Sequence, residues 1–159
     1  MMIKSRIVPS QRLLGGGNRY HSKSMSLDFH SGFDPAVEHY AYKIDDLTLT
    51  IDPANRSVIG FDVFAPSQSW KVQPDLSTPP MSKNGLLVID AEFDSNGIAG
   101  ENHTVEIFCT EGRDVVKIAF SGAGQSACLA GFAQDCVCEI GADGSLVAIY
   151  MNHIVTTND

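Results

Sequence analysis

Apolar residues return at every second position along most of this chain, a period that sends alternate side chains to opposite faces of an extended strand. In residues 47–52, Leu47, Leu49 and Ile51 share one face while Thr48 and Thr50 take the other. In residues 58–64, Ile59, Phe61 and Val63 line up. In residues 86–94, Leu87, Ile89, Ala91 and Phe93 oppose Asp90, Glu92 and Asp94. Val105, Ile107 and Cys109 then alternate with polar neighbours, and Val116, Ile118 and Phe120 follow. Residues 135–140 and 146–151 flank the turn sequence GADGS. Alternation with polar outward positions predicts antiparallel strands wetted on one side.

Three segments break the pattern. Residues 66–85 carry Pro66, Pro74, Pro79 and Pro80 around Trp70. A connection of that length is either a binding loop or a link between two halves of a sandwich, with Trp70 as a plug; the second reading is preferred. The stretch GQSACLAGFAQ (124–134) has the small, unbranched composition of a short buried helix. Residues 1–27 lack regular alternation, and Pro9 and Gly15-Gly16-Gly17 interrupt any long helix there. The expected fold is mainly β: one antiparallel domain over 28–159, a sandwich or small barrel of about seven or eight strands with one short helix. A flexible basic tail over 1–27 precedes it. The sequences RSVIGFDVF and GSLVAIYMN each follow a turn and echo one another. They read as two similar hairpins and not as a repeat architecture.

Charge sharpens this picture. The first 27 residues hold Lys4, Arg6, Arg12, Arg19 and Lys23 and no acid, whereas the remainder has six basic residues against all 19 acids. An acidic body disfavours nucleic acid as the main partner, because phosphate backbones require Lys and Arg. The basic tail is free to meet an acidic surface, its own body included. No apolar run approaches the length needed to span a bilayer, and no apolar stretch follows the early basic residues as in a secretory leader. A cytoplasmic location is therefore expected. Four cysteines, Cys109, Cys128, Cys136 and Cys138, are expected as reduced thiols.

Four patterns invite a chemical reading. In DAEFDSNGIAGE (90–101), Asp90, Glu92, Asp94 and Asn96 precede Gly97 and outline the front half of a calcium loop. Counted from Glu92, the twelfth position is His103, not an acid. Asn96-Gly97 is also a strong hairpin signal, so a turn explains more residues with fewer assumptions. Gly122 and Gly124 match G-x-G-x-x-A after an apolar strand, a weak outline of a glycine-rich anion loop. Cys128, at the start of the expected helix, is a candidate nucleophile with His103 or His153 as its base. A buried core cysteine is the commoner outcome. Cys136 and Cys138 share one face of a strand, a spacing that suits small core residues better than zinc. His103 lies on an inner face beside Glu101, a setting in which imidazole serves as a proton switch.

No acid–base or metal constellation survives comparison with its plainer alternative. The expectation is an acidic, non-enzymatic binding or interaction module without a cofactor. Its expected partner is a protein with a basic surface, or a second copy as a homodimer, and neither nucleic acid nor membrane. The alternatives are a small enzyme or anion-binding protein built on residues 122–128, and a domain stabilised by calcium or zinc.

Overall fold

The computed structural model describes residues 3–80 and 83–159. The chain is mainly β, in two stacked sheets, with no closed barrel. The first half supplies β1 (Ser5–Pro9), β2 (Gly17–His21), β3 (Ser26–His30), β4 (Tyr40–Ile44), β5 (Leu47–Ile51), β6 (Val58–Phe64) and the two-residue β7 (Lys71–Val72). The second supplies β8 (Lys83–Ile89), β9 (Ile98–Glu101), β10 (Val105–Cys109), β11 (Val115–Phe120), β12 (Ser126–Ala133), β13 (Cys136–Gly141), β14 (Leu146–Asn152) and β15 (Val155–Thr157). One sheet has seven strands in the order β15-β2-β3-β6-β5-β4-β9, and the other has eight in the order β1-β8-β12-β13-β14-β11-β10-β7.

Fifteen strands are described in two sheets of eight and seven, where alternation predicted about seven or eight in all. Short edge and crossover strands carry too little pattern to be read. The sheets are also mixed, not purely antiparallel. The hairpin ladders are antiparallel, but β7, β8, β9 and β15 each join a neighbour in parallel. Alternation reports which face is wet and carries no information on the direction of a strand's neighbour.

The two halves repeat one plan. The order β2-β3-β6-β5-β4 recurs as β10-β11-β14-β13-β12, with every pair antiparallel. The β5–β6 ladder shifts register between Thr50 and Ile51, and the β13–β14 ladder shifts at the matching place between Glu139 and Ile140. These bulges bring Val58 and Leu146 into the core and leave Ile59 and Val147 only partly buried, where strict alternation had Ile59 and Val147 inward. In the turns, buried Ser57 donates to Asn55 Oδ1 at 2.7 Å and buried Ser145 to Asp143 Oδ1 at 2.6 Å. The carbonyl before each serine accepts from a crossing strand, Arg56 from Ile89 and Gly144 from Ser5. The echo between the two hairpins thus extends to whole halves. Each half also gives its last strand to the other's sheet: β7 lies beside β10, and β15 beside β2.

One core fills the space between the inner faces. Leu27, Phe29, Ile44, Leu49 and Phe61 of the first sheet meet Ile118, Phe132, Cys138, Ile149 and Met151 of the second. Phe29 and Phe132 contact edge to face with centroids 6.2 Å apart. The outer faces differ. Asp28 and Asp62 pair across β3–β6, while Lys117 and Tyr150 hold the corresponding places across β11–β14. Burial and the neighbouring Asp28 charge push the Asp62 carboxyl upward. The second sheet's outer face bears an apolar cluster in which Leu76 packs with Val137, Ala148 and Tyr150.

Two local expectations are corrected. Residues 124–134 form no helix: β12 occupies Ser126–Ala133, paired with β13 on one side and β8 on the other. Ladder pairing and burial override the weak helical preference of small residues. The stretch expected as a flexible tail holds β1 and β2 and runs into β3, with Ile3, Tyr20 and Leu27 buried. Its charges are answered by the body: Arg6 Nε lies 3.2 Å from Asp90 and Arg19 Nε 3.7 Å from Asp28. Of the stretch 66–85 expected as one long loop, residues 81–82 lie outside the described residues, Lys71–Val72 form β7 and residues 83–85 begin β8. Only Trp70 and Leu76 of residues 66–80 are buried. Trp70 is buried, donates from Nε1 to the Ala65 carbonyl at 3.0 Å, and meets Tyr20 edge-on at 5.0 Å. No helix among the described residues is long and apolar enough to cross a membrane.

His21 ties β15 to the first sheet. Its Nδ1 lies 2.8 Å from Asp159 and its Nε2 2.8 Å from Asp28. The bonds to Asp159 and then Asp28 raise the imidazole above its ordinary 6.5, and those from Thr157 and then His21 lower the Asp159 carboxyl to about 2. The raised histidine stabilises the fold fully below its unfolded value and loses that contribution as pH rises through the folded value. The lowered carboxyl contributes above its unfolded value of 3.8 and loses it as pH falls toward about 2. The melting-temperature advantage of the native chain over His21→Gln is expected to hold between about pH 4 and 6 and to shrink above pH 6.5. The repeated turns yield a second expectation. Ser57→Ala should cost about 0.5–1.5 kcal/mol in denaturant unfolding, and Ser145→Ala about 1–3 kcal/mol. The difference arises because Ser145 Oγ also accepts from the Gly124 amide at 3.1 Å, which would lose its partner.

Candidate functional site

The acidic stretch 90–101 runs into a turn and the edge strand of the seven-stranded sheet. β8 ends at Ile89, short of the strand expected to run through Asp94, and residues 90–94 follow without regular structure. The chain then turns through Asn96 and Gly97. Asp94 Oδ1 accepts from the amides of Asn96 at 2.8 Å and Ile98 at 3.0 Å, and Gly97 N–H donates to the Asp94 carbonyl at 2.9 Å. Gly97 has φ +76°, the conformation that the Asn-Gly signal anticipated. A single rung, Asp94 N–H to the Ile98 carbonyl at 2.9 Å, closes the turn. Beyond it the two arms part. Asp90 is held by Arg6, and Asp94 Oδ1 is spent on the turn. Among the described residues, no three His, Cys, Asp or Glu side chains gather closely enough to hold a metal ion.

β9 lies parallel to β4 and ends the seven-stranded sheet. Gly100 permits the close approach: a Cβ there would lie 2.4 Å from the Lys43 carbonyl oxygen. Glu101, at the end of β9, turns inward. Its Oε2 lies 2.6 Å from His103 Nε2, and both side chains are largely buried. Burial, then the bond and charge of Glu101, push the Tyr42 phenol well above its ordinary value. The carboxylate therefore sits between a phenol and an imidazole. Their contacts pin β9 to β4 and to the connection into β10. His103 was placed beside Glu101 from the sequence; the part played by Tyr42, on a strand 59 positions earlier, had no local signal.

Three shallow clefts converge on β9. One of about 570 Å³ is bounded by Lys43, Asp45, Asp94 and residues 98–102. A second, about 490 Å³, lies between β9 and the arm carrying Asp90 and Glu92, with Lys4 and Tyr42 on its walls. A third, about 350 Å³, is formed by residues 100–103. Five acids, Asp45, Asp90, Glu92, Asp94 and Glu101, face two lysines, Lys4 and Lys43, around these openings. Behind the arm, Phe93 stacks with Tyr40 at 4.9 Å, and the Arg56 guanidinium lies 4.7 Å from the Tyr40 ring centre and 5.2 Å from that of Phe93. Arg56 Nη1 is buried without a hydrogen-bond acceptor, so the ring faces take up its charge.

The other candidates lie apart from this edge. Gly122 and Gly124 form a turn, not a cradle. Gly124 N–H donates to Ser145 Oγ, and a Cβ on Gly124 would sit 3.0 Å from both Asp143 carboxylate oxygens. A carboxylate so close repels an anion, and no helix follows to offer its N-terminus. Cys128 is in β12, half-buried, so it has no helix end to favour its thiolate, and neither His103 nor His153 shares its ladder. His153 instead meets Asp135 at 2.9 Å in the turn between β14 and β15. Cys136 and Cys138 are core residues whose thiols burial pushes far up, Cys138 to about 12. No protein-family model matches the sequence, and no curated protein matches it significantly.

Gly97 anchors the turn that begins β9. Replacing it with alanine strains the left-handed backbone and drives a Cβ to 2.6 Å from the Tyr40 ring. Gly97→Ala is expected to destabilise the protein by about 1–3 kcal/mol in urea unfolding, with an unchanged m-value.

Proposed function

We propose that this protein is an interaction module that captures a basic segment of a partner protein on the acidic rim around β9. The observation that carries the reading is the convergence of three open clefts on one edge strand. They are lined by Asp45, Asp90, Glu92, Asp94 and the inward-turned Glu101, with Lys4, Lys43 and the Arg6 that holds Asp90 as the nearby cations. Opposed charge steers encounter and disfavours wrong partners more than it adds affinity, so binding should be fast, modest and salt-sensitive. The overall formal charge of −8 extends the same attraction beyond the rim.

Calorimetric titration with an oligolysine peptide at low and at physiological salt tests this. The triple variant Asp45→Asn, Asp90→Asn, Glu92→Gln should lose at least about tenfold in affinity. A control that removes the same charge elsewhere, Glu38→Gln, Asp75→Asn, Glu111→Gln, should retain nearly native affinity. Equal losses in both variants would mean that net charge alone attracts the peptide, and the assignment to the rim would fall.

A further inference from the structure

The geometry points to β-strand addition as the way that rim is occupied: an extended, basic segment of the partner pairs with the open edge of β9 through the Gly100 backbone. This rests on the interaction reading and adds to it the form of the partner.

The repeated plan of the two halves reveals a place that one sheet fills and the other leaves open. In the eight-stranded sheet, Lys83 and Asn84 of β8 lie parallel beside Ala130 and Gly131 of β12. In the seven-stranded sheet, Ala99 and Gly100 of β9 lie parallel beside Tyr42 and Lys43 of β4. These are corresponding positions, since Ala130 faces Cys138 and Tyr42 faces Leu49, each one step from the matching bulge pairs. β8 is then covered by β1, which pairs with it from Gly85 to Ile89. Among the described residues β9 has no such neighbour, and the sheet ends there.

The backbone of β9 is turned to receive one. In a parallel ladder, alternate residues bond to opposite sides. Gly97 offers its carbonyl to Ala41 N–H at 2.9 Å, which assigns Gly97, Ala99 and Glu101 to β4 and turns Ile98 and Gly100 outward. Ile98 is met by Asp94 through both its amide and its carbonyl. The same alternation turns the Gly100 amide and carbonyl away from β4, and among the described residues no turn or loop bond reaches them. The cleft between Gly100 and the arm at Asp90–Glu92 opens where the hairpin ladder stops after its single rung.

Edge strands are ordinarily protected by brevity, charge or proline. β7 has two residues and β15 three, and β1 carries Arg6 and Pro9. β9 reads Ile-Ala-Gly-Glu, with its one charge folded inward onto His103 and with Ile98 exposed. Charge chooses the occupant. A second copy would bring the same five acids against this rim, whereas a lysine-bearing strand complements them.

The test uses the full chain and two eight-residue peptides of alternating Lys and Thr, one unmodified and one N-methylated at every second residue. The modification keeps the charge and removes the backbone donors on one edge. Amide exchange of Gly100 is followed by NMR together with affinity. The unmodified peptide should slow Gly100 exchange at least tenfold, and the methylated peptide should bind at least tenfold more weakly and give no protection. Equal binding of both peptides without Gly100 protection would overturn strand addition while leaving capture by charge intact. Absence of binding by either at low salt would overturn both readings. Gly100 protection that grows with protein concentration in the absence of peptide would overturn the choice of occupant in favour of a second copy.

Discussion

Two sheets face one another over a shared apolar core, and each is completed by a strand from the other half of the chain. That exchange, β7 to β10 and β15 to β2, ties the two halves together. Neither sheet could keep its outer ladder if the halves separated, because the last strand of each would leave with the other. The antiparallel ribbon of β1 and β8 adds a second tie, and each of its strands crosses the serine turn of a different half. The core between Phe29 and Phe132 is thus enclosed by chain connectivity as well as by burial.

The departures from symmetry are where the surface becomes distinctive. The same two backbone places carry Asp28 and Asp62 on one outer face and Lys117 and Tyr150 on the other. One face remains polar, with Asp28 in contact with both Arg19 and His21. The other bears an apolar cluster that takes Leu76 from the proline-rich loop. At the sheet edges, β8 gains β1 while β9, among the described residues, is left bare. A duplicated plan with unequal elaboration therefore leaves the β9 edge without the partner strand that β8 has in β1.

The site itself is held by buried polar contacts. Glu101 lies between Tyr42 and His103, and Asp94 caps the turn that starts β9. These contacts fix the edge strand firmly enough to present its backbone, since a partner strand binds best to an edge whose ordering cost has already been met. The Arg56–Tyr40–Phe93 stack supports the same turn from behind.

The sequence by itself determined that this is a β protein, because side-chain alternation is a property of single strands. It determined the Asn96–Gly97 turn, whose φ only a few residues tolerate, and the packing of Trp70, whose size and neighbours favour burial. It also placed His103 beside Glu101. The tertiary structure decided the rest. Strand pairing made residues 124–134 a strand, since small residues accept either form and their neighbours chose. Remote pairing also ordered Ser5–Pro9 and Gly17–His21, whose partners lie far along the chain. The likeness of the halves was nearly silent in sequence because bulges, turn bonds and strand order are backbone features that different side chains satisfy equally. Whether a strand lies inside a sheet or at its open edge depends on what other segments cover, and no local pattern around Gly100 records that.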